Sequence, residues 1–168
     1  MKNITIALLI IPLLAILQST LLPYLNFHST VKLDLVLIVV LSWNLVYPNS
    51  DGMLWALVGG LMLDALSGAH IGTNIISLTI ASLIPNLMSS RIWSTHILLK
   101  IAVGIAGTTI YYLAYLLLLT TTGWRLNWSN LQADDLASKI IINVFIMILI
   151  LPLARWLALK ITYRSINI

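Results

Sequence analysis

The run from Ile97 to Thr120, "ILLKIAVGIAGTTIYYLAYLLLLT", constrains the fold of this chain more than any other feature. Lys100 is its only charged residue. The hydrocarbon core of a bilayer is about 30 Å thick, and a helix needs roughly 20 apolar residues to cross it. This run is long enough and apolar enough to do so. It therefore predicts an integral membrane protein.

Composition agrees with lipid as the solvent for most of the chain. Of its 168 residues, 60% are hydrophobic and 8% are charged, whereas soluble domains carry roughly 25% charged residues. The length suits one domain, so we interpret residues 1–168 as a single transmembrane domain. The net charge of +4 does not indicate nucleic-acid binding, because the placement of the basic residues explains it better. The lack of cysteine excludes disulfides and zinc–thiolate sites.

Six apolar segments, separated by breaks rich in glycine, proline and polar residues, predict an all-α fold of six transmembrane helices. The third segment is short, since a helix over it rises only about 21 Å, and it is expected not to cross lipid alone. We predict that it forms a buried hairpin with the fourth segment, turning at Ser67–Gly72. The segments are Ile4–Leu22, Leu33–Tyr47, Met53–Leu66, Ile71–Met88, Ile97–Thr120 and Leu136–Ile161.

The basic residues orient these segments, because Lys and Arg favour the cytoplasmic side of a membrane. With six spans and both termini in the cytoplasm, six of the nine basic residues lie inside and three outside. A five-span interpretation weakens this bias, since it moves Lys160 and Arg164 outside. Five of the six tryptophans, Trp43 and Trp156 among them, lie near predicted span ends and are expected in the headgroup zone.

Small residues recur along one face of the third segment. Gly52, Ala56, Gly60 and Asp64 follow one another every four residues, which lets a neighbouring backbone approach that face closely. The fifth segment carries a similar stripe. The simplest interpretation is that these stripes are contacts between the protein's own helices, since membrane helices associate through close packing and a few buried hydrogen bonds.

A sharper interpretation leaves one stripe open for the transmembrane helix of a partner. The first segment is the better candidate, because a terminal helix is often peripheral. Near its outer end, Ala15, Gln18, Ser19 and Leu22 form a partly polar ridge. In the sixth segment, Asn143 stands alone in a long apolar run.

Asp64 is the residue that most needs an explanation, because a carboxylate within a membrane is costly unless it finds partners. Ser67, Gly68, Gly72 and Asn74 follow it, and both glycines can adopt the positive φ of a sharp chain reversal. The next helix begins near Gly72 with unpaired N–H groups. We predict that Asp64 accepts hydrogen bonds from those groups and that Ser67 and Asn74 complete the set.

The same turn has two further interpretations, as the floor of a ligand pocket or as the contact point for a partner protein. Catalysis is disfavoured, because His70 is the only nearby base and no serine nucleophile, second carboxylate or metal-ligand spacing accompanies it. The chain contains no phosphate loop, dinucleotide fingerprint or H-E-x-x-H motif. The sequence therefore predicts no enzyme, no catalytic or metal-binding residue and no cofactor.

Three blocks, "LQSTLLPYL" (17–25), "DLVLIVVLSW" (34–43) and "GMLWALVGGLMLDALSGAHIGTN" (52–74), together resemble the bacterial rod shape-determining family MreD. The C-terminal "NVFIMILILPLARWL" is similar to that family's last helix. One position departs from the family pattern, because Leu33 replaces the usual proline before Asp34, so the second helix is expected to start less sharply. The matching residues are Gln18, Ser19, Thr20, Asp34, Leu35, Gly59, Gly60, Asp64, Ser67, Gly68, Gly72, Asn74, Asn143, Pro152 and Arg155.

The resemblance implies a six-helix fold similar to the substrate-binding subunits of energy-coupling-factor vitamin transporters. It also implies a non-enzymatic scaffold of the bacterial cytoplasmic membrane that binds MreC and helps to maintain rod cell shape. Stripes of small residues would hold the MreC transmembrane helix, while the turn around Asp64 and the 121–135 loop would orient its extracytoplasmic segment. Indirect partners in this cell-wall elongation complex are MreB and the enzymes of peptidoglycan synthesis, a RodA-type glycosyltransferase and a class B penicillin-binding protein; a homodimer is left open.

Two other function classes compete with the scaffold. The same fold could form a small-molecule-binding subunit of a vitamin-type transporter, with an outward pocket lined by Asn74, Tyr111 and Trp128. A membrane enzyme of lipid or undecaprenyl metabolism is disfavoured, because it requires a carboxylate or histidine cluster on one side that the sequence lacks.

Overall fold

Six α-helices make up the part of the chain that the computed structural model describes, which is residues 2–22, 33–46, 51–68, 70–88, 97–122 and 133–163. No strand occurs among these residues, and the all-α prediction is confirmed. Each predicted segment corresponds to one helix. In chain order they are α1 (Lys2–Thr20), α2 (Leu35–Val46), α3 (Asp51–Ser67), α4 (Thr73–Met88), α5 (Ile97–Thr121) and α6 (Ala133–Tyr163).

Two of these helices are long and apolar enough to cross a membrane by length and composition. They are α5 and the Leu136–Lys160 part of α6, each of 25 residues, with mean hydropathies of 1.8 and 2.4. The other four helices contain shorter apolar stretches. The length and composition of α5 and α6 are thus compatible with the membrane prediction, while the count of six spans stays a prediction.

The shortest helix, α2, lies at the centre of the bundle. Its 12 residues rise only about 18 Å, nine of them are buried, and it contacts the other five helices. α3 begins at Asp51 and continues to Ser67, which gives it 17 residues, so it is longer than the predicted segment Met53–Leu66. α2 is shorter still, and the other helices enclose most of it.

Helices α3 and α4 form the predicted hairpin and pack along each other. The chain reverses through Gly68 and Gly72, with φ angles of 65° and 105°, which side chains other than hydrogen rarely allow. A Cβ atom on Gly60 would lie 2.7 Å from the backbone nitrogen of Ile75 and 3.0 Å from the carbonyl carbon of Asn74. The two backbones therefore meet at Gly60, and nothing larger than hydrogen fits between them.

The stripes of small residues lie inside the bundle. Gly52, Ala56 and Gly60 on α3 are all buried, and Gly104 and Gly107 on α5 face α6 and α2, respectively. The expectation that such stripes hold a partner helix is corrected here, because the protein's own helices already cover them.

The ridge on α1 is likewise internal. Ala15 is buried, Gln18 bonds to residues at the start of α2, and Gln18, Ser19 and Leu22 are half-buried, so this ridge faces the bundle. The opposite face of α1 carries large apolar side chains such as Leu9 and Leu13, which are 69% and 60% exposed. Any partner that binds α1 must therefore meet a leucine-rich surface.

The far end of α2 is closed by an aromatic stack. Trp43 lies 4.4 Å from Trp55 of α3, centroid to centroid, with an interplanar angle of 16°, and both indoles are buried. Trp43, which the sequence places among the interfacial tryptophans, is instead packed between helices, because its neighbours shield α2 at this end. Trp156 of α6, in contrast, is 57% exposed.

Candidate functional site

The carboxylate of Asp64 lies at the end of α3, facing the first turn of α4. Its Oδ2 accepts hydrogen bonds from the backbone N–H groups of Gly72 (2.7 Å) and Ile75 (3.3 Å). Its Oδ1 accepts one from the backbone N–H of Asn74 (2.8 Å) and a second from the Asn74 side-chain amide (2.9 Å). The N–H groups left over at a helix start are thus satisfied by a side chain from the preceding helix, and the positive end of the helix dipole offsets the negative charge.

Asn74 extends this arrangement to a third helix. Its side-chain amide also donates to the Ser67 hydroxyl (3.4 Å), and its Oδ1 accepts a hydrogen bond from the Tyr111 hydroxyl of α5 (2.7 Å). We refer to Asp64, Ser67, Gly72, Asn74 and Tyr111 as the Asp64 cluster. Asp64 and Asn74 are each 3% exposed, so the cluster joins α3, α4 and α5 inside the protein.

Asp34 organises a second polar centre at the start of α2. Gln18 of α1 donates to its Oδ1 (3.3 Å), and Asn143 of α6 donates to its Oδ2 (3.4 Å). The Tyr112 hydroxyl of α5 also donates to Oδ2. We refer to Gln18, Asp34, Tyr112 and Asn143 as the Asp34 cluster.

The two amide side chains of the Asp34 cluster also serve the backbone of α2. The Gln18 Oε1 accepts a hydrogen bond from the N–H of Val36 (3.0 Å), and the Asn143 Oδ1 accepts one from the N–H of Asp34 (3.3 Å). Each side-chain amide therefore bonds both to the Asp34 carboxylate and to a backbone N–H group that the start of α2 would otherwise leave unpaired. Asn143, which stands alone among apolar residues in the sequence, reaches a residue 109 positions earlier in the chain.

Two consecutive tyrosines connect the clusters. Tyr111 belongs to the Asp64 cluster and Tyr112 to the Asp34 cluster, and their rings meet edge to face with centroids 5.3 Å apart. On the other side of this pair, the ammonium of Lys139 on α6 lies 4.9 Å from the centre of the Tyr112 ring. Both clusters therefore occupy the same end of the bundle, and together they tie all six helices to one another.

The remaining predicted site residues play local roles. Ser19 donates to the Ala15 carbonyl of its own helix (2.5 Å) and does not enter either cluster. Gly68 lies in the exposed turn, where a Cβ atom would contact nothing within 4 Å, so its φ is the reason for glycine there. His70 is exposed and its carbonyl accepts the Thr73 N–H.

Both oxygens of Asp64 are already occupied by two donors each, which leaves them poorly placed to take a proton from a substrate. Among the described residues, no group of three or more His, Cys, Asp or Glu side chains is placed to hold a metal ion. Both clusters hold neighbouring helices together through hydrogen bonds.

Sequence reasoning overlooked Asp34 as the centre of a cluster, and Tyr112 altogether. In the sequence, Asp34 stands out only as a match to the family pattern. A usable signal was present, because an acid directly before an apolar run is a typical N-cap and an asparagine within a membrane helix needs a partner. The predicted pocket residue Trp128 lies outside the described residues.

Comparison with known proteins gives one match. The model of the family described as rod shape-determining protein MreD matches residues 1–166, which is nearly the whole chain. No curated protein and no solved structure matches it.

Proposed function

The chain belongs to the MreD family of rod shape-determining proteins, and from this premise we propose that it is a non-enzymatic scaffold that binds MreC in the bacterial cytoplasmic membrane. In this proposal all six helices cross the membrane, both termini are cytoplasmic, and the fold is similar to that of energy-coupling-factor substrate-binding subunits. MreB, a RodA-type glycosyltransferase and a class B penicillin-binding protein are indirect partners. The observation that carries the proposal is the family match over residues 1–166.

The two polar clusters support a scaffold because they make one end of the bundle rigid. The Asp64 carboxylate is held by the first turn of α4, whose Asn74 bonds Tyr111 of α5, and the Asp34 carboxylate is held by side chains of α1, α5 and α6. The rings of Tyr111 and Tyr112 connect the two clusters. A rigid end keeps the surrounding turns in fixed positions without any turnover. We propose that these turns, with the one at Ser67–Gly72 foremost, orient the extracytoplasmic segment of MreC.

The outward face of α1 is the surface that we propose for the MreC transmembrane helix. α1 packs on α2 and α3 through Ala7, Ile11 and Ala15, while Leu9 and Leu13 point away from the bundle and are exposed. Lipid tails are as apolar as leucine, so a partner helix binds such a face through shape and close packing.

Site-specific photo-crosslinking tests this surface. A photoreactive amino acid at Leu9 or Leu13 is expected to crosslink to MreC in cells, whereas the same amino acid at the buried Ile11 is not. Co-purification of the two proteins from detergent is the companion measurement. Co-purification without a crosslink from α1 would move the contact to another helix, and no association at all would contradict the proposal as a whole.

The transporter-type alternative gains no support from the site. Two of its three proposed lining residues, Asn74 and Tyr111, are buried and bonded to each other. Their polar atoms are therefore committed to the protein's own structure.

A further inference from the structure

α6 turns a continuous apolar stripe away from the bundle. Its members are more than half exposed and recur at spacings of three or four residues, so they share one side of the helix. Such a surface matches the acyl chains of a lipid. The stripe consists of Ile141, Phe145, Leu149, Leu153 and Trp156.

Basic residues mark both ends of this stripe. Lys139 lies near its start, while Arg155 and Lys160, both exposed, lie near its end. Between Lys139 and Lys160 the helix rises about 32 Å, close to the thickness of about 30 Å for a hydrocarbon core. A bilayer fitted between Lys139 and Lys160 therefore places Lys160 at the level of the phospholipid headgroups. Arg155 begins about 7.5 Å deeper along the helix, and its long side chain can extend to the same level.

The two ends of the stripe differ in how their basic groups are used. Lys139 is half-buried and packs on Tyr112. At the other end, the Lys160 ammonium lies 4.8 Å from the centre of the exposed Trp156 ring, and the Arg155 guanidinium is exposed nearby in sequence. Residues 136–163 contain no acidic side chain. This end of α6 thus presents cations beside an indole, a ring that favours the membrane interface.

We propose that Arg155, Trp156 and Lys160 form a binding site for an anionic phospholipid. The headgroup phosphate interacts with the guanidinium and the ammonium, the indole packs against the glycerol region, and the acyl chains lie along the stripe above it. Opposite charge selects the anionic headgroup, while the apolar stripe requires a lipid and disfavours a free phosphate. The site lies on α6, so it is independent of the MreC contact proposed for α1.

Native mass spectrometry of the full chain tests the site. The protein is released from micelles that contain equal amounts of phosphatidylglycerol and phosphatidylcholine, and the ratio of the two bound lipids is measured. The wild type is expected to favour phosphatidylglycerol. Because one basic residue near an anionic surface contributes a factor of about five, Lys160→Gln should lower the ratio about fivefold, and Arg155→Gln with Lys160→Gln should lower it further.

Lys139→Gln is the matched control, since it removes the same charge from the opposite end of the same helix and should leave the ratio unchanged. A wild-type ratio of one overturns the proposal. So does a preference that survives loss of both Arg155 and Lys160, or one that Lys139→Gln abolishes equally. If the double variant does not fold, the single Lys160→Gln variant decides. None of these results bears on crosslinking of α1 to MreC.

Discussion

At the scale of single residues, amide and phenol groups stabilise two carboxylates within a bundle of apolar helices. Asp64 accepts four hydrogen bonds, three of them from backbone N–H groups. Asp34 accepts hydrogen bonds from side chains of three other helices. Asp64 accepts hydrogen bonds from backbone N–H groups that the start of α4 leaves free, whereas Asp34 accepts them from side-chain donors, two of which in turn accept hydrogen bonds from N–H groups at the start of α2. Lipid offers no water to replace either carboxylate. Loss of either acid therefore leaves several buried donors unpaired.

Asp64→Ala is expected to lower the free energy of unfolding by about 1–3 kcal/mol, because the N–H groups of Gly72, Asn74 and Ile75 lose their acceptor. Reversible unfolding in mixed micelles measures this change. His70→Ala is the control, since that side chain is exposed in the same turn and should change stability little. Equal effects of the two substitutions would show that Asp64 does not hold the turn.

A double-mutant cycle of Asp34→Ala with Tyr112→Phe is expected to give a coupling energy of about 1–2 kcal/mol, since each change removes one side of a hydrogen bond to a charged group. The same cycle with Tyr115→Phe is the comparison, because Tyr115 contacts the Tyr111 ring and makes no hydrogen bond to Asp34. Coupling energies of the same size in both cycles would mean that the hydrogen bond between Tyr112 and Asp34 makes no specific contribution to stability.

Distance along the chain separates what could be predicted at this scale from what could not. The donors to Asp64 lie within 11 residues of it, so local rules for turns and helix starts were enough to name them. The donors to Asp34 come from positions 16, 78 and 109 residues away. Only the packing of α1, α5 and α6 around α2 brings these donors to Asp34. That packing cannot be predicted from the spacing of residues in the sequence.

At the scale of helices and turns, glycine serves the α3–α4 hairpin in two different ways. Gly60 allows the backbones of α3 and α4 to touch, whereas Gly68 and Gly72 allow the chain to reverse with positive φ. At Gly60 the requirement is a small side chain, and at Gly68 and Gly72 it is a backbone conformation that other residues rarely adopt. A single methyl group added at each type of position can therefore separate the two.

Gly60→Ala is expected to destabilise the protein more than Gly68→Ala. At Gly60 the new methyl group meets the backbone of α4, which cannot move aside as a side chain can; overpacking of this kind costs about 1–3 kcal/mol. At Gly68 the methyl group has free space, so only the left-handed conformation is penalised, by about 1 kcal/mol. Unfolding in micelles measures both. The reverse order would mean that α3 and α4 are not in backbone contact at Gly60.

The sequence predicted that each apolar segment forms a helix, but it could not rank their burial. α2 and α3 are similar in composition and length when judged from apolar runs alone. Leu41 of α2 packs against Gly107 of α5, and that contact follows from the path of the whole chain. For this reason the central position of α2 and the burial of Trp43 could not be predicted from the apolar runs.

At the scale of the whole molecule, the clusters and the Trp43–Trp55 stack lie at opposite ends of the bundle. In the proposed orientation, the end with both clusters faces the outside and the basic end of α6 faces the cytoplasm. The Asp64 and Asp34 clusters would then lie at the level where the extracytoplasmic segment of MreC begins. This orientation depends on the distribution of Lys and Arg.

A labelling experiment can test the orientation directly, because the chain has no cysteine. A single His70→Cys substitution is expected to react with a membrane-impermeant thiol reagent in intact cells, since the turn faces outward. A single Asn167→Cys substitution near the C-terminus should react only after the membrane is opened. Labelling of both positions in intact cells would contradict cytoplasmic termini.

The central position of α2 also bears on how the protein is made. At 12 residues it is too short to remain in lipid by itself, and Asp34 at its start would be an uncompensated charge there. Asn143, which completes that shell, is synthesised 109 residues later. We therefore expect the second helix to reach its final packing only after α5 and α6 have been synthesised. Nascent chains that stop before α6 should be the ones that quality-control proteases remove.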